Sequence, residues 1–339
     1  MSKILEVENL QVKIPVGKQT LNAVRGISFS LSKGETLCIV GESGCGKSLT
    51  SLAIMGLQPS GARRTADKLE FDGVDLLSAS KRQMQKIRGS RLAMIFQEPM
   101  TSLNPAYTIG DQLMEVMLWH QDVPKAKAHD RAVFLLEKVG ITGAAKRMTQ
   151  YPHQLSGGLR QRVMIAMSLM CGPAVIIADE PTTALDVTIQ AQILLLLSEL
   201  QREFDMGLVL ITHDLGVVAR IADRVMVMYA GEVVEEGTAK AVFEAPLHPY
   251  TRGLLECMPI PGKTKPGHHL GSIPGIVPSL IGEIVGCAFR DRCRHAREGC
   301  ESFERLRHDG KNHYWRCIMD EEETRGHLAN FTAGTEAAT

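Results

Sequence analysis

The sequence predicts an α/β protein: a parallel core sheet, an N-terminal antiparallel β-subdomain, a helical subdomain inserted between core strands, and a small cysteine-containing C-terminal extension. Three observations carry this reading. Five short β-rich stretches, at residues 36–40, 92–96, 175–179, 208–212 and 224–229, alternate with longer helical patterns, the layout of parallel strands joined by crossover helices. A helical pattern over residues 109–139 is broken by Pro124 and falls between two of those strands. From His248 onward Pro and Gly recur, and half of the eight cysteines lie beyond residue 280, a shift that marks a boundary.

Taken in order, the opening segment to Leu31 reads as strands with turns at Gly17 and Gly26. The main domain is expected at 1–247 with its helical subdomain at about 98–172. The extension covers 248–339, and its tail from about 320 is expected to be flexible. With 38 Lys plus Arg against 38 Asp plus Glu, no bulk charge draws the chain toward nucleic acid. The N-terminus lacks an apolar leader, and apolar runs such as residues 193–197 fall short of the roughly 18 residues of a membrane span. A cytosolic chain is therefore expected, in which thiols stay reduced and a cysteine cluster points to metal rather than disulfides.

The chemistry begins at Gly41-Glu42-Ser43-Gly44-Cys45-Gly46-Lys47-Ser48, which follows a strand and, continuing through Leu49, opens a helix running to about Leu57. Glycines let backbone N–H groups turn inward around phosphates, Lys47 brings a point charge, and the Ser48 hydroxyl suits Mg²⁺. Residues 175–180 form an apolar strand that ends in Asp179 and Glu180, placing one acid beside Mg²⁺ and a second where it would polarise an attacking water. Gln97 and His213 each follow a strand. Ser156, Gly157 and Gly158 open a helix and form a second anion site. One phosphate loop and a separate second anion site in one chain suggest ATP sites shared between two subunits.

These elements, with residues 183–186 ending in Asp186, resemble the nucleotide-binding subunit of an ATP-binding-cassette (ABC) transporter, a P-loop NTPase, over residues 4–237. The stretches IFQEPMTSLNP (95–105), YPHQLSGGLRQRVMIAM (151–167) and DEPTTALDVTIQAQI (179–193) are similar, more narrowly, to ATPases of dipeptide, oligopeptide and nickel importers. HPYT (248–251), IPGIVP (273–278) and the segment from Cys287 to Cys293 resemble that subfamily's C-terminal extension. The resemblance implies ATP hydrolysis with Mg²⁺ held by Ser48, Gln97 and Asp179. Glu180 would be general base, His213 would orient the water with it, and Lys47 would contact phosphate. Residues 41–49 and, from a second subunit, Ser156–Gly158 would bind nucleotide, with Asp186 signalling across a head-to-tail dimer. It further implies a second ATPase subunit, distinct from this one, two integral membrane permeases, and an extracytoplasmic solute-binding protein. The complex would lie at the cytoplasmic face of the inner membrane.

Peptide is the expected cargo, with nickel, opines or glycosides as alternatives. A soluble ABC ATPase acting on ribosomes or DNA is the remote alternative. No Phe, Tyr or Trp precedes Phe29, where many family members stack adenine, so Leu21 or Val24 is expected to pack against it. Cys287, Cys293, Cys300 and Cys317 are separated by five, six and sixteen residues. Four thiols so close fit a four-coordinate site; zinc and four unliganded thiols stay open, and the resemblance suggests a [4Fe–4S] cluster. His295 and His313 are alternative ligands for this site but read rather as surface residues. Cys38, Cys45, Cys171 and Cys257 read as core or loop residues, with alkylation of Cys45 expected to block nucleotide binding.

Overall fold

In the computed structural model, residues 3–97, 102–183, 185–258, 271–302 and 306–325 are described. Strands β1 (Lys3–Val16) and β2 (Gln19–Ser32) form a long antiparallel hairpin. With β4 (Arg63–Thr65), β5 (Lys68–Phe71) and β6 (Val74–Asp75) they make a five-stranded antiparallel sheet. The hairpin turns at Gly17, as the sequence suggests. Gly26 is not a turn: it lies inside β2 with φ +83°, and a Cβ there would come 2.8 Å from the Asn9 side-chain oxygen. Both glycines take positive φ, and only the pairing partner distinguishes a turn from a bulge.

Among the described residues the larger sheet has eight strands, of which β10 (Arg224–Tyr229), β3 (Thr36–Val40), β9 (Gly207–Ile211), β8 (Val175–Asp179) and β7 (Leu92–Ile95) run parallel in that order, with β7 at the edge. Strands β3, β8 and β9 are buried along their whole length, as a parallel sheet covered on both faces requires. Alternate side chains feed two different cores. Cys38, Val40, Ile176, Ala178, Leu208 and Leu210 face the helical side, whereas Leu37, Ile39, Val175, Ile177, Val209 and Ile211 pack toward the antiparallel sheet.

The inserted helices are α3 (Ile109–His120) and α4 (Lys125–Lys138), after α1 (Lys47–Met55) and α2 (Lys81–Ile87) earlier in the chain. Pro124 sits at the N-cap of α4, where its missing N–H costs no helical bond. After α5 (Ala144–Arg147), α6 (Gly157–Ser168) closes the insertion. Helices α7 (Val187–Glu203) and α8 (Leu215–Ile221) follow β8 and β9. Among the described residues, no helix is long and apolar enough to cross a membrane.

Beyond β11 (Glu232–Thr238) and α9 (Ala239–Glu244), the chain forms α10 (Pro249–Glu256) and then folds back. Its strands β12 (Arg307–His308) and β13 (Tyr314–Trp315) extend the eight-stranded sheet beyond β11. Tyr250, Ala288 and Phe289 enter the same core as the helical insertion. Residues 326–339 of the expected flexible tail lie outside the described residues.

Glu235 anchors this return. Fully buried, it accepts from the Leu247 and His248 N–H groups at 2.7 and 2.8 Å and lies 2.8 Å from His313 Nε2. His313 is thus 2% exposed, and the expectation of a surface residue fails because a carboxylate 78 positions earlier draws it inward. His248 caps α10, its Nδ1 accepting from the Tyr250 N–H at 3.1 Å.

Burial pushes His248 down to about 3 from its ordinary 6.5, so the ring is neutral in the fold, whereas an unfolded chain takes up a proton below about 6.5. Its contribution is fully present above that value and is lost as pH falls toward 3. Between pH 7.5 and 5.5 this residue is expected to remove about 1.4 kcal/mol of stability. Urea unfolding at both pH values should show a smaller loss for His248→Asn, which keeps a capping oxygen but does not titrate.

Candidate functional site

The phosphate-type loop lies between β3 and α1. Gly46 has φ +102°, and a Cβ there would come 2.5 Å from the Ala23 carbonyl oxygen, so the loop passes too close to β2 for any side chain. Lys47 is 5% exposed and its Nζ donates to the Gly41 and Glu42 carbonyl oxygens at 2.8 and 3.1 Å. The ammonium is held inside a ring of its own loop, poised for a phosphate oxygen to take over. Cys45 is 1% exposed, its Sγ 3.8 Å from Lys47 Nζ, and burial pushes its thiol up. That amends the expectation about alkylation: a reagent reaches this thiol only when the loop opens.

Ser48 Oγ donates to Asp179 Oδ1 at 2.9 Å, which joins the start of α1 to the end of β8. Burial raises the Asp179 pKa, opposed by the Ser48 hydrogen bond. A buried carboxylate beside a hydroxyl is an all-oxygen donor set suited to Mg²⁺, and Gln97, whose amide nitrogen is directed elsewhere, leaves its carbonyl oxygen for the same use.

Glu180, the next residue, has φ +42°. Left-handed backbone at a non-glycine residue costs about 1–2 kcal/mol, and here it turns the carboxylate away from the strand. Gln97 Nε2 donates to Glu180 Oε2 at 3.3 Å, Thr183 Oγ1 donates to the same oxygen at 3.0 Å, and His213 Nδ1 lies 3.9 Å from it. Residues from the ends of β7, β8 and β9 thereby meet on one oxygen, at the carboxyl edge where parallel sheets place their chemistry. Thr183 was missed as a site residue; its position three after Glu180 was the signal.

Ser156 caps α6, accepting from the Leu159 N–H at 3.4 Å. A Cβ on Gly157 would lie 3.5 Å from Leu185, and one on Gly158 3.3 Å from Ile189, so the SGG turn packs beside the start of α7, whose N-cap is the exposed Asp186. Of the proposed adenine contacts, Val24 lines a cavity of about 380 Å³ together with Lys13, Arg25 and Ile284, whereas Leu21 bridges to Ile281 of the extension. Tyr250 and Arg292 also reach the loop, and no local sequence pattern announces that.

The four downstream cysteines are free thiols. Cys287 N–H donates to the Cys300 carbonyl at 2.8 Å, and burial pushes Cys293 and Cys317 up to about 11, with the neighbouring cysteines adding to the shift. The chain brings them near one another. Among the described residues, however, no three His, Cys, Asp or Glu side chains are arranged to hold a metal ion, so the expected [4Fe–4S] or zinc centre finds no support in this geometry.

Loop, strand-end acids and converging Gln and His define a P-loop nucleotide-hydrolysing cassette. The family model for ABC transporters matches residues 24–183, and that for the oligopeptide/dipeptide transporter C-terminal region matches 234–300. The dipeptide transport ATP-binding protein DppD of Bacillus subtilis is 51% identical over 302 residues, covering 89% of this chain and 90% of that protein. The oligopeptide transport ATP-binding protein OppD of Salmonella typhimurium is 49% identical, covering 88% of each. Among solved structures, an ATP-binding cassette in a dimeric post-hydrolysis state bound to ADP and Pi superposes with TM-score 0.62 at 26% identity, covering 69% of this chain and 98% of that one. The chain belongs to the ATP-binding subunits of ABC transporters, in the group that carries the oligopeptide/dipeptide C-terminal region, and it is an ATPase.

Lys47→Ala is expected to weaken ATP binding at least tenfold, because the loop keeps its amides but loses its one central cation. Equilibrium titration of the full chain with ATP checks this.

Proposed function

We propose that this chain powers the import of dipeptides or oligopeptides by hydrolysing ATP at the cytoplasmic face of a membrane. The observation that carries the reading is the union in one chain of the loop and Glu180 constellation with an extension of oligopeptide/dipeptide type. The names of relatives half identical to it over most of its length support peptide as the cargo class.

In this reading residues 41–49 wrap the phosphates and Lys47 leaves its carbonyl ring to pair with them. Ser48, Asp179 and Gln97 would hold Mg²⁺, which would supply positive charge against the phosphates. Glu180 takes the proton of the attacking water. Thr183 and Gln97 fix the orientation of its carboxylate, and His213 stands beside it to align the water. Ser156, Gly157 and Gly158 close over the nucleotide of a second subunit, and Asp186, exposed at the start of α7, faces the partner. The dimeric relative supports this closure. A distinct second ATPase, two permeases and a solute-binding protein complete the machine.

The domain assignment at 1–247 and 248–339, with a helical subdomain at about 98–172, belongs to the same proposal. So does a [4Fe–4S] cluster on Cys287, Cys293, Cys300 and Cys317, supported by four thiols within about thirty residues of sequence. Anaerobically purified protein is expected to absorb near 400 nm; colourless protein with stoichiometric zinc would overturn it.

Glu180→Gln is expected to bind ATP and accumulate a closed dimer on size exclusion while turnover falls at least about a hundredfold. Affinity purification from detergent-solubilised membranes should recover two multi-span proteins and a second ATPase, with activity raised by peptides and their binding protein. Recovery with ribosomes or DNA-repair proteins would refute the importer.

A further inference from the structure

Glu42, the second residue of the phosphate loop, is gripped twice by chain more than two hundred residues downstream. Its backbone N–H donates to Tyr250 Oη at 2.8 Å. Its carboxylate receives a forked pair from Arg292, Nη1 to Oε2 at 2.7 Å and Nη2 to Oε1 at 3.0 Å. The Glu42 carbonyl meanwhile accepts from Lys47 Nζ. One residue thus joins the phosphate-binding lysine to the extension through both its backbone and its side chain.

Arg292 is itself held in place. Its Nε donates to the Pro274 carbonyl at 2.9 Å, Nη2 to the Ile273 carbonyl at 3.1 Å and Nη1 to Tyr229 Oη at 3.3 Å. The guanidinium lies 5.7 Å from the Tyr229 ring centre and 5.9 Å from that of Phe289, within cation–π range. Gly275, with φ +84°, makes room: a Cβ there would come 3.0 Å from Arg292 Cγ. Tyr250 is fully buried, its ring 4.6 Å from Tyr229 and 5.3 Å from Phe289. The Arg292 side chain is 6% exposed and that of Glu42 26%, so the pair is largely shielded from solvent.

This arrangement answers a problem of charge. A loop that receives a polyphosphate carries a carboxylate, and a bare carboxylate there would repel the incoming anion. A bidentate guanidinium cancels that charge and fixes its direction.

We propose that Arg292 is a positioning residue for ATP, acting through Glu42 together with Tyr250, so that the state of the extension sets the nucleotide affinity of the loop. The proposal rests on reading the loop as the ATP site. Arg292→Ala is expected to weaken ATP binding at least about tenfold. Adding Glu42→Gln to it recovers part of the loss, because the uncompensated charge is gone. Arg292→Lys, which keeps the charge but not the fork, and Tyr250→Phe, which removes one acceptor, give smaller losses.

The test is titration of full-length protein with ATP, with thermal midpoints measured alongside and Lys47→Ala as reference. Wild-type affinity in Arg292→Ala overturns the proposal, as does failure of Glu42→Gln to recover any of its loss. Should Arg292→Ala not fold, Arg292→Lys and Tyr250→Phe decide: wild-type affinity in both overturns it. A wild-type chain that binds no ATP would instead refute the reading of the loop itself.

Discussion

Burial of β3, β8 and β9 on both faces leaves polar chemistry only the strand ends, and the parallel direction puts all the useful ends on one edge. From that constraint the site follows. Lys47, the Asp179–Glu180 pair and His213 come from the ends of β3, β8 and β9, yet none needs a long loop to reach the others. The Ser48–Asp179 hydrogen bond ties two of these ends together across the edge. The backbone strain at Glu180 is sustainable because its N–H is tied to the Ile211 carbonyl at 2.9 Å, and the neighbouring strand thereby holds the turn that aims the carboxylate.

Local chemistry made much of this legible in sequence. Glycines before Lys47-Ser48, an apolar run ending in two acids, and single polar residues after strands are short-range signals. The alternating layout of the core strands was equally readable, with ends differing from observation by one residue at residues 92–96 and 208–212. What failed was long-range. Gly26 looked like a turn because its bulge depends on Asn9, and His313 looked like a surface group because its partner Glu235 lies far upstream. Tyr250 and Arg292 were invisible as loop partners for the same reason. A separation of 250 positions leaves no periodicity to read, and only the folded return of the extension creates the contact.

The extension is joined to the cassette by buried polar bonds as well as by apolar packing. Glu235 serves two backbone donors and His313, and Arg292 serves Glu42 and two carbonyls. Polar bonds of this kind are directional and costly to leave unmade, so they specify one placement where apolar contacts alone would tolerate several. Tyr229, Tyr250 and Phe289 supply the apolar filling around them. Register and adhesion therefore come from different side chains.

Strand β13 meets β11 through only two residue pairs, Glu235 with Trp315 and Glu236 with Tyr314. During synthesis the ribosome delivers β11 about eighty residues before β13, so for that interval the growing sheet ends in an uncovered strand. Such an edge invites pairing with a neighbouring nascent chain.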